Sequence, residues 1–124
     1  MGGQFYAPPQ FNLNQVVAAG QAGGRFNVSA MNSAVGHFGT FDYQRVGTPS
    51  NFTFYSGYTP VSNIDVGAYL YGAGFSQSQA GMISNTFADL FSKNAGDPNQ
   101  AIFRNLGYQM AAGKGSYSCS AIPQ

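Results

Sequence analysis

The side chains of this chain that are able to carry acid–base chemistry are few, and three of them are clustered. Only ten of the 124 residues are Lys, Arg, Asp, Glu or His, and glutamate is absent. His37, the only histidine, lies within nine residues of Asp42 and Arg45. A histidine can act as general acid or base, an aspartate can orient it, and an arginine can hold a polar or anionic substrate. This segment is the first candidate active site, the alternative being a structural histidine beside an ordinary surface Asp–Arg pair.

The backbone conformation decides which of these groups meet. In an unbroken strand, the period of two places His37, Tyr43 and Arg45 on one face and Asp42 on the other. Asp42 reaches His37 only if the chain bends, and Gly39 makes a bend easy.

Asp65 is the candidate for a second carboxyl group. Glycosidases use two carboxyl groups about 5–10 Å apart, and Asp42 with Asp65 could form such a pair. The structural alternative is that Asp65 begins a helix, where an acid complements the helix dipole. Tyr43, Arg45 and Tyr69 are the candidate substrate-binding residues, and the alternative for such tyrosines is half-buried packing with a polar tip.

Several site classes and partners are disfavoured by what the sequence lacks. One histidine and one cysteine, Cys119, supply no zinc site, and no P-loop, dinucleotide fingerprint or nucleophile elbow occurs, so neither a metal nor a cofactor is expected. No apolar run approaches the ~18 residues of a transmembrane segment. Charged residues make up only 7% of the chain, and the net charge is +1. The basic residues are scattered along the sequence, and Arg104 and Lys93 are expected to face solvent. Nucleic acid is therefore a less favoured partner than a neutral, hydroxyl-rich polymer such as a glycan.

The elements that must position the candidate residues are predicted from turn and helix signals. Residues 1–24, rich in Gly, Pro, Gln and Asn, are predicted to be an irregular leader or linker with one short helical turn at Asn14–Ala19. Aromatic and β-branched residues over 40–46 and 51–55 flank a Gly-Thr-Pro-Ser turn and predict a β-hairpin.

About three helices are predicted after the hairpin. The first covers 63–71, and the second opens with a capping box at Ser76–Gln79 and carries an apolar stripe to about Phe91. The third begins with Asp97 as its cap, presents Ile102, Leu106 and Met110 on one face and ends at Gly113. The predicted fold class is α+β, a small β-hairpin followed by about three helices in a helix-rich C-terminal half. Residues 25–124 are predicted to form one domain with a flexible tail from about 113.

Four segments resemble the C-terminal toxin domains of bacterial polymorphic toxins of the Rhs and related secreted types. They are Phe41–Arg45, Phe54–Thr59, Ser62–Phe75 and Asn94–Gln100, and the similarity covers about residues 36–112. The chain also distantly resembles bacterial toxin type 44, in which an aromatic-Asn-aromatic-x-Tyr-Gly segment precedes a helix and an Asp-Pro-x-x-Gln segment begins a later one. Here Val66-Gly67 stands in place of Tyr-Gly.

The resemblance implies an antibacterial effector domain, delivered by a type VI or related secretion system and neutralised by a cognate immunity protein. With the uncharged, aromatic surface, it predicts a toxin acting on the cell envelope in the target-cell periplasm. The predicted activity is hydrolysis of peptidoglycan glycan, with His37, Asp42 and Asp65 as catalytic residues. One alternative is an RNase-type toxin in the target-cell cytoplasm, with His37 as general base and Arg45 stabilising the phosphorane. Another is a non-enzymatic membrane-perturbing or binding module.

Overall fold

The computed structural model describes residues 3–86, 98–113 and 119–122 of the chain. The described elements confirm a small α+β fold in which helices predominate. In chain order they are β1 (Gly3–Tyr6), α1 (Leu13–Gly23), α2 (Val28–Val35), β2 (Arg45–Thr48), β3 (Asn51–Phe54), a 3₁₀ turn (Ser56–Tyr58), α3 (Thr59–Gly72), α4 (Gln77–Thr86), α5 (Pro98–Ala111) and β4 (Cys119–Ile122).

The predicted hairpin is confirmed, with a later start than expected. Strands β2 and β3 pair antiparallel, from Arg45 opposite Phe54 to Thr48 opposite Asn51. Residues 40–44 do not join the ladder, because part of their backbone bonds to the end of α2 instead. The amide of Thr40 donates to the Ser33 carbonyl at 3.0 Å, and that of Phe41 donates to the Ala34 carbonyl at 2.8 Å.

The prediction that residues 1–24 form an irregular leader was wrong for most of that segment. Residues 13–23 form α1, whose first turn is capped by the Asn12 side chain accepting from the Gln15 amide at 3.2 Å. Val16 is buried, and Gly20 lies so close to α3 that an added Cβ would collide with the Tyr69 backbone. The small residues that suggested a linker instead permit close contact between two helices.

The predicted flexible tail also contains regular structure. Strand β4 pairs with β1 in parallel, with Gly3 opposite Cys119 and Tyr6 opposite Ile122. The segments predicted as leader and tail therefore lie side by side in one two-stranded sheet.

Helix α3 is the centre of the fold, and every residue from Val61 to Leu70 is buried. It begins at Thr59, four residues before the predicted start, with Pro60 in its first turn. Helix α5 crosses it closely, because a Cβ on Gly67 would collide with the Arg104 carbonyl and a Cβ on Gly107 would collide with the Ile64 carbonyl. The two glycines thus set the distance between the helices.

The signals for the two C-terminal helices are confirmed where they fall on described residues. The Ser76 amide donates to Gln79 Oε1 at 3.0 Å, and the Gln79 amide donates to Ser76 Oγ at 3.2 Å, which is a complete capping box. Helix α5 ends before Gly113, whose φ of 75° is left-handed. Leu106 is buried as predicted, but Ile102 is 55% exposed. The predicted cap at Asp97 and the apolar stripe from Phe87 to Phe91 lie outside the described residues.

No helix in the described part of the chain is both long enough and apolar enough to span a membrane.

Candidate active site

The segment between α2 and β2 bends sharply, as a close approach of His37 to Asp42 requires. Two backbone hydrogen bonds close successive turns here. The Gly39 amide donates to the Gly36 carbonyl at 2.9 Å, and the Asp42 amide donates to the Gly39 carbonyl at 3.1 Å. A Cβ on Gly39 would lie 2.7 Å from the Ala34 carbonyl oxygen, so this position accommodates only glycine without a shift. Phe38 adopts a φ of 63°, which is uncommon outside glycine. Its ring packs edge-on against that of Phe52 in the hairpin, with the two ring centroids 4.9 Å apart.

Asp42 is the centre of a buried hydrogen-bond network. Its carboxylate accepts from the Phe38 amide at 2.9 Å, from Gln44 Nε2 at 3.1 Å and from Arg45 Nη1 at 2.9 Å. Both Asp42 and Arg45 are buried, so this is a desolvated ion pair. Three donors on one carboxylate fix its orientation.

Arg45 also contacts His37, and this contact determines which ring nitrogen of the histidine accepts a hydrogen bond and which carries the proton. Arg45 Nη2 lies 3.3 Å from His37 Nε2. A guanidinium only donates hydrogen bonds, so Nε2 accepts and the ring proton is on Nδ1. Arg45 therefore joins His37 and Asp42 in one network, and the Nε2 lone pair that a general base would use is occupied.

A cavity of about 410 Å³ opens beside this network. Asp42, Tyr43 and Arg45 line it, so three of the predicted site residues share one cavity wall. The rest of its lining is mostly neutral, and includes Gln10, Gln15, Thr40 and Tyr58.

Asp65 lies in the middle of α3 and not at its start, because the helix begins at Thr59. The helix-dipole explanation of this residue was therefore wrong. Asp65 is 0% exposed, and neither carboxyl oxygen has a hydrogen-bond partner in the described part of the chain. Burial, and then the charge of Asp42, raise the pKa of Asp65 well above its ordinary value. Burial and the charge of Asp65 likewise raise the pKa of Tyr43 to about 12, so the three groups lie within electrostatic range of one another.

Tyr69, predicted to bind substrate, lies in the core. It is 1% exposed, and its hydroxyl is close enough to Gly23 of α1 that an added Cβ there would collide with it. Tyr69 is not among the described residues that line the Asp42 cavity. The structure brings His37, Asp42, Tyr43, Arg45 and Asp65 into one region and leaves Tyr69 as a packing residue.

A polar connection between the cavity wall and α3 was not predicted from the sequence. Gln44 is fully buried, its backbone amide donates to Ser62 Oγ at 3.2 Å, and its side-chain carbonyl accepts from Thr59 Oγ1 at 2.8 Å. Its position next to Tyr43 in the candidate segment was visible, but nothing in its residue type indicated burial. Gln44 fixes Asp42 relative to the first two turns of α3.

We expect the stability of this protein to fall with rising pH because of Asp65, and Asp65→Asn to remove that fall. The unfolded chain releases the Asp65 proton near pH 3.9, whereas the folded chain, with its raised pKa, retains it to higher pH. Between those two pKa values the folded state binds more protons, so the stabilisation present below pH 3.9 is lost as pH rises toward the folded pKa. Urea unfolding of both proteins from pH 4 to pH 8 measures the difference. Parallel curves would contradict the expectation, since they would mean that Asp65 titrates alike in the folded and unfolded chains.

Within the described residues, no group of three or more His, Cys, Asp or Glu side chains is arranged to hold a metal ion.

No family model matches the chain, and neither does any of the curated proteins or solved structures with which it was compared. The function of the site is therefore inferred from its own chemistry.

Proposed function

We propose that this chain is an antibacterial effector domain that hydrolyses a glycan of the bacterial cell envelope, with the Asp42 cavity as its active site. The observation that carries the proposal is a pair of carboxyl groups in unlike surroundings. Asp42 lies on the cavity wall and accepts hydrogen bonds from three donors, whereas Asp65 is buried nearby and has no donor in the described chain. Glycoside hydrolysis uses one ionised carboxylate and one carboxyl group that holds a proton, and unlike environments are how proteins produce that difference.

The proposed roles follow from these surroundings. Asp42, on the cavity wall and paired with Arg45, is the carboxylate that either activates water or stabilises the positive charge at the anomeric carbon. Asp65 holds the proton that the leaving oxygen requires. Because Asp65 is 0% exposed, it reaches the substrate only if segment 36–45 moves away from α3 when the cavity is filled. Tyr43, with its raised pKa, remains a neutral phenol and hydrogen-bonds sugar hydroxyls.

The cavity lining supports a neutral polymer over a nucleic acid. Gln10, Gln15, Thr40 and Tyr58 offer amide, hydroxyl and aromatic groups suited to sugar hydroxyls and ring faces. Among the described lining residues Arg45 is the one cation, and its guanidinium is already paired with Asp42.

The same contacts disfavour the RNase alternative. A ribonuclease using His37 as general base needs a free imidazole lone pair and a cation beside the phosphorane. Here His37 Nε2 lies 3.3 Å from Arg45 Nη2, so the imidazole lone pair and the guanidinium are engaged with each other.

Delivery into the target-cell periplasm and neutralisation by an immunity protein are supported by the resemblance to Rhs-type toxin domains.

Expression with and without an export signal tests the proposal. We expect lysis of bacteria only when the chain is exported, and release of soluble glycan fragments when the purified chain is incubated with peptidoglycan. Asp42→Asn and Asp65→Asn should each lower the rate of release by about 10²–10⁴-fold, the range for loss of an acid–base group. Arg25→Gln, at an exposed arginine that is not part of the described cavity lining, is the matched control and should keep full activity.

Circular dichroism of each variant separates loss of activity from loss of folding. Killing from the cytoplasm with RNA decay would overturn the glycan proposal in favour of a ribonuclease. Toxicity that survives both substitutions in folded variants would instead favour the membrane-perturbing or binding module.

A further inference from the structure

A second cavity, of about 170 Å³, lies between α3, α4 and α5 and shares none of its described lining with the Asp42 cavity. Its lining includes Gly67 from α3, Gly81 and Ser84 from α4, and Ala101, Arg104 and Tyr108 from α5. At about 30 Å³ for each water molecule, it has room for a small ion together with a few waters.

Arg104 is the group that distinguishes this cavity. It was expected to face solvent, but it is 3% exposed because α5 buries this face against α3. Its Nη1 donates to Asn63 Oδ1 at 3.0 Å, while its buried Nε has no acceptor. In the described part of the chain, no carboxylate lies within ion-pair distance of this guanidinium.

An arginine in this position remains cationic, although burial lowers its pKa. A buried charge without a partner is costly, and a neutral amide such as Asn63 supplies only part of the compensation. Nε itself is enclosed by protein and has no acceptor in the described chain, so the charge of the guanidinium that borders the cavity is only partly compensated.

The other parts of the cavity also suit a negative charge. Ala101 lies in the first turn of α5, so the positive end of that helix dipole borders the cavity. The lining side chains are held in place, since Gln77 Nε2 donates to Asn105 Oδ1 at 2.7 Å and the Tyr108 hydroxyl donates to the Phe75 carbonyl at 2.7 Å.

We propose that this second cavity is a binding site for a small oxyanion group, a phosphate or a carboxylate, held by the guanidinium of Arg104. The site is independent of the proposed glycan hydrolysis, because the Asp42 network and its cavity contribute none of the residues named for it.

The Nε–Hε resonances of ¹⁵N-labelled full-length protein test the proposal directly. The Arg104 resonance is identified by its absence from Arg104→Lys, and that of exposed Arg25 serves as an internal reference. Inorganic phosphate and acetate are titrated separately, with chloride at matched ionic strength as the control for general salt effects. We expect saturable movement of the Arg104 resonance with phosphate or acetate and none with chloride, and the responding anion identifies the oxyanion class.

Two substitutions at Gly81 provide matched variants that leave Arg104 in place. A Cβ at Gly81 has open space around it, so both Gly81→Ala and Gly81→Leu should fold. Gly81→Leu fills the cavity and should weaken anion binding by roughly 10–100-fold, the loss expected for hydrogen bonds to a charged group, while Gly81→Ala should bind as the parent does. The proposal is overturned if neither oxyanion moves the Arg104 resonance, if chloride moves it equally, or if Gly81→Leu binds as well as Gly81→Ala.

Discussion

Asp42→Asn is expected to destabilise the fold by about 3–5 kcal/mol, in addition to removing the proposed catalytic carboxylate. The reason is Arg45, which is buried and donates to Asp42 at 2.9 Å. Asparagine keeps a carbonyl oxygen at this position but removes the negative charge, so the guanidinium stays in the interior without a counter-ion. The Phe38 amide and Gln44 Nε2 also lose a charged acceptor.

Urea unfolding of Asp42→Asn, Arg45→Gln and the double variant measures this effect. Both single substitutions strand a buried charge, whereas the double substitution removes both charges together. We therefore expect the double variant to lose less stability than the sum of the single losses. A cost below about 1 kcal/mol for Asp42→Asn would contradict the expectation, since that is the strength of a solvated surface pair.

Gly107→Ala is expected to destabilise the protein by about 3 kcal/mol, the upper end of the usual cost of overpacking a core. An added Cβ would meet the Ile64 carbonyl, which belongs to the backbone of α3 and cannot rotate away as a side chain would. The substitution therefore forces α3 and α5 apart. It does so although alanine is intrinsically the better helix former by about 1 kcal/mol.

Gly81→Ala is the control for this prediction, because Gly81 is also in a helix but has open space around its added Cβ. At Gly81 we expect only the gain in intrinsic helix propensity, which should stabilise the protein by about 1 kcal/mol in thermal or urea unfolding. Equal effects at Gly81 and Gly107 would mean that the crossing of α3 and α5 does not depend on its glycines.

The predictions from sequence that were confirmed depend on local interactions. The hairpin has a turn signal between two aromatic segments, and the capping box at Ser76–Gln79 needs only four residues. Both can be recognised from the sequence because the interacting groups are close along the chain. The bend at Gly39 was recognised as a requirement, but its presence depends on bonds to the end of α2.

The features that sequence could not supply depend on distant partners. Glycine at position 20 is equally typical of a linker and of a close helix contact, and only the presence of α3 distinguishes them. Arg104 carries the residue type of a surface position, but the glycine-mediated approach of α5 to α3 buries it. The raised pKa of Asp65 could not be predicted for a related reason. It depends on burial and on the charge of Asp42, which is 23 positions away along the chain.

The pairing of β1 with β4 has a consequence for biosynthesis. During synthesis the N-terminal part of a chain leaves the ribosome first, but a domain generally folds as a unit. Strand β1 precedes all other described elements in chain order, whereas its parallel partner Cys119–Ile122 follows them all. Phe5 of β1 belongs to the same core cluster as Val61, Ile64 and Leu106, so that cluster also waits for residues made much later. A ribosome-bound chain therefore carries an unpaired first strand and an open second core, and the fold is completed only when β4 has left the ribosome.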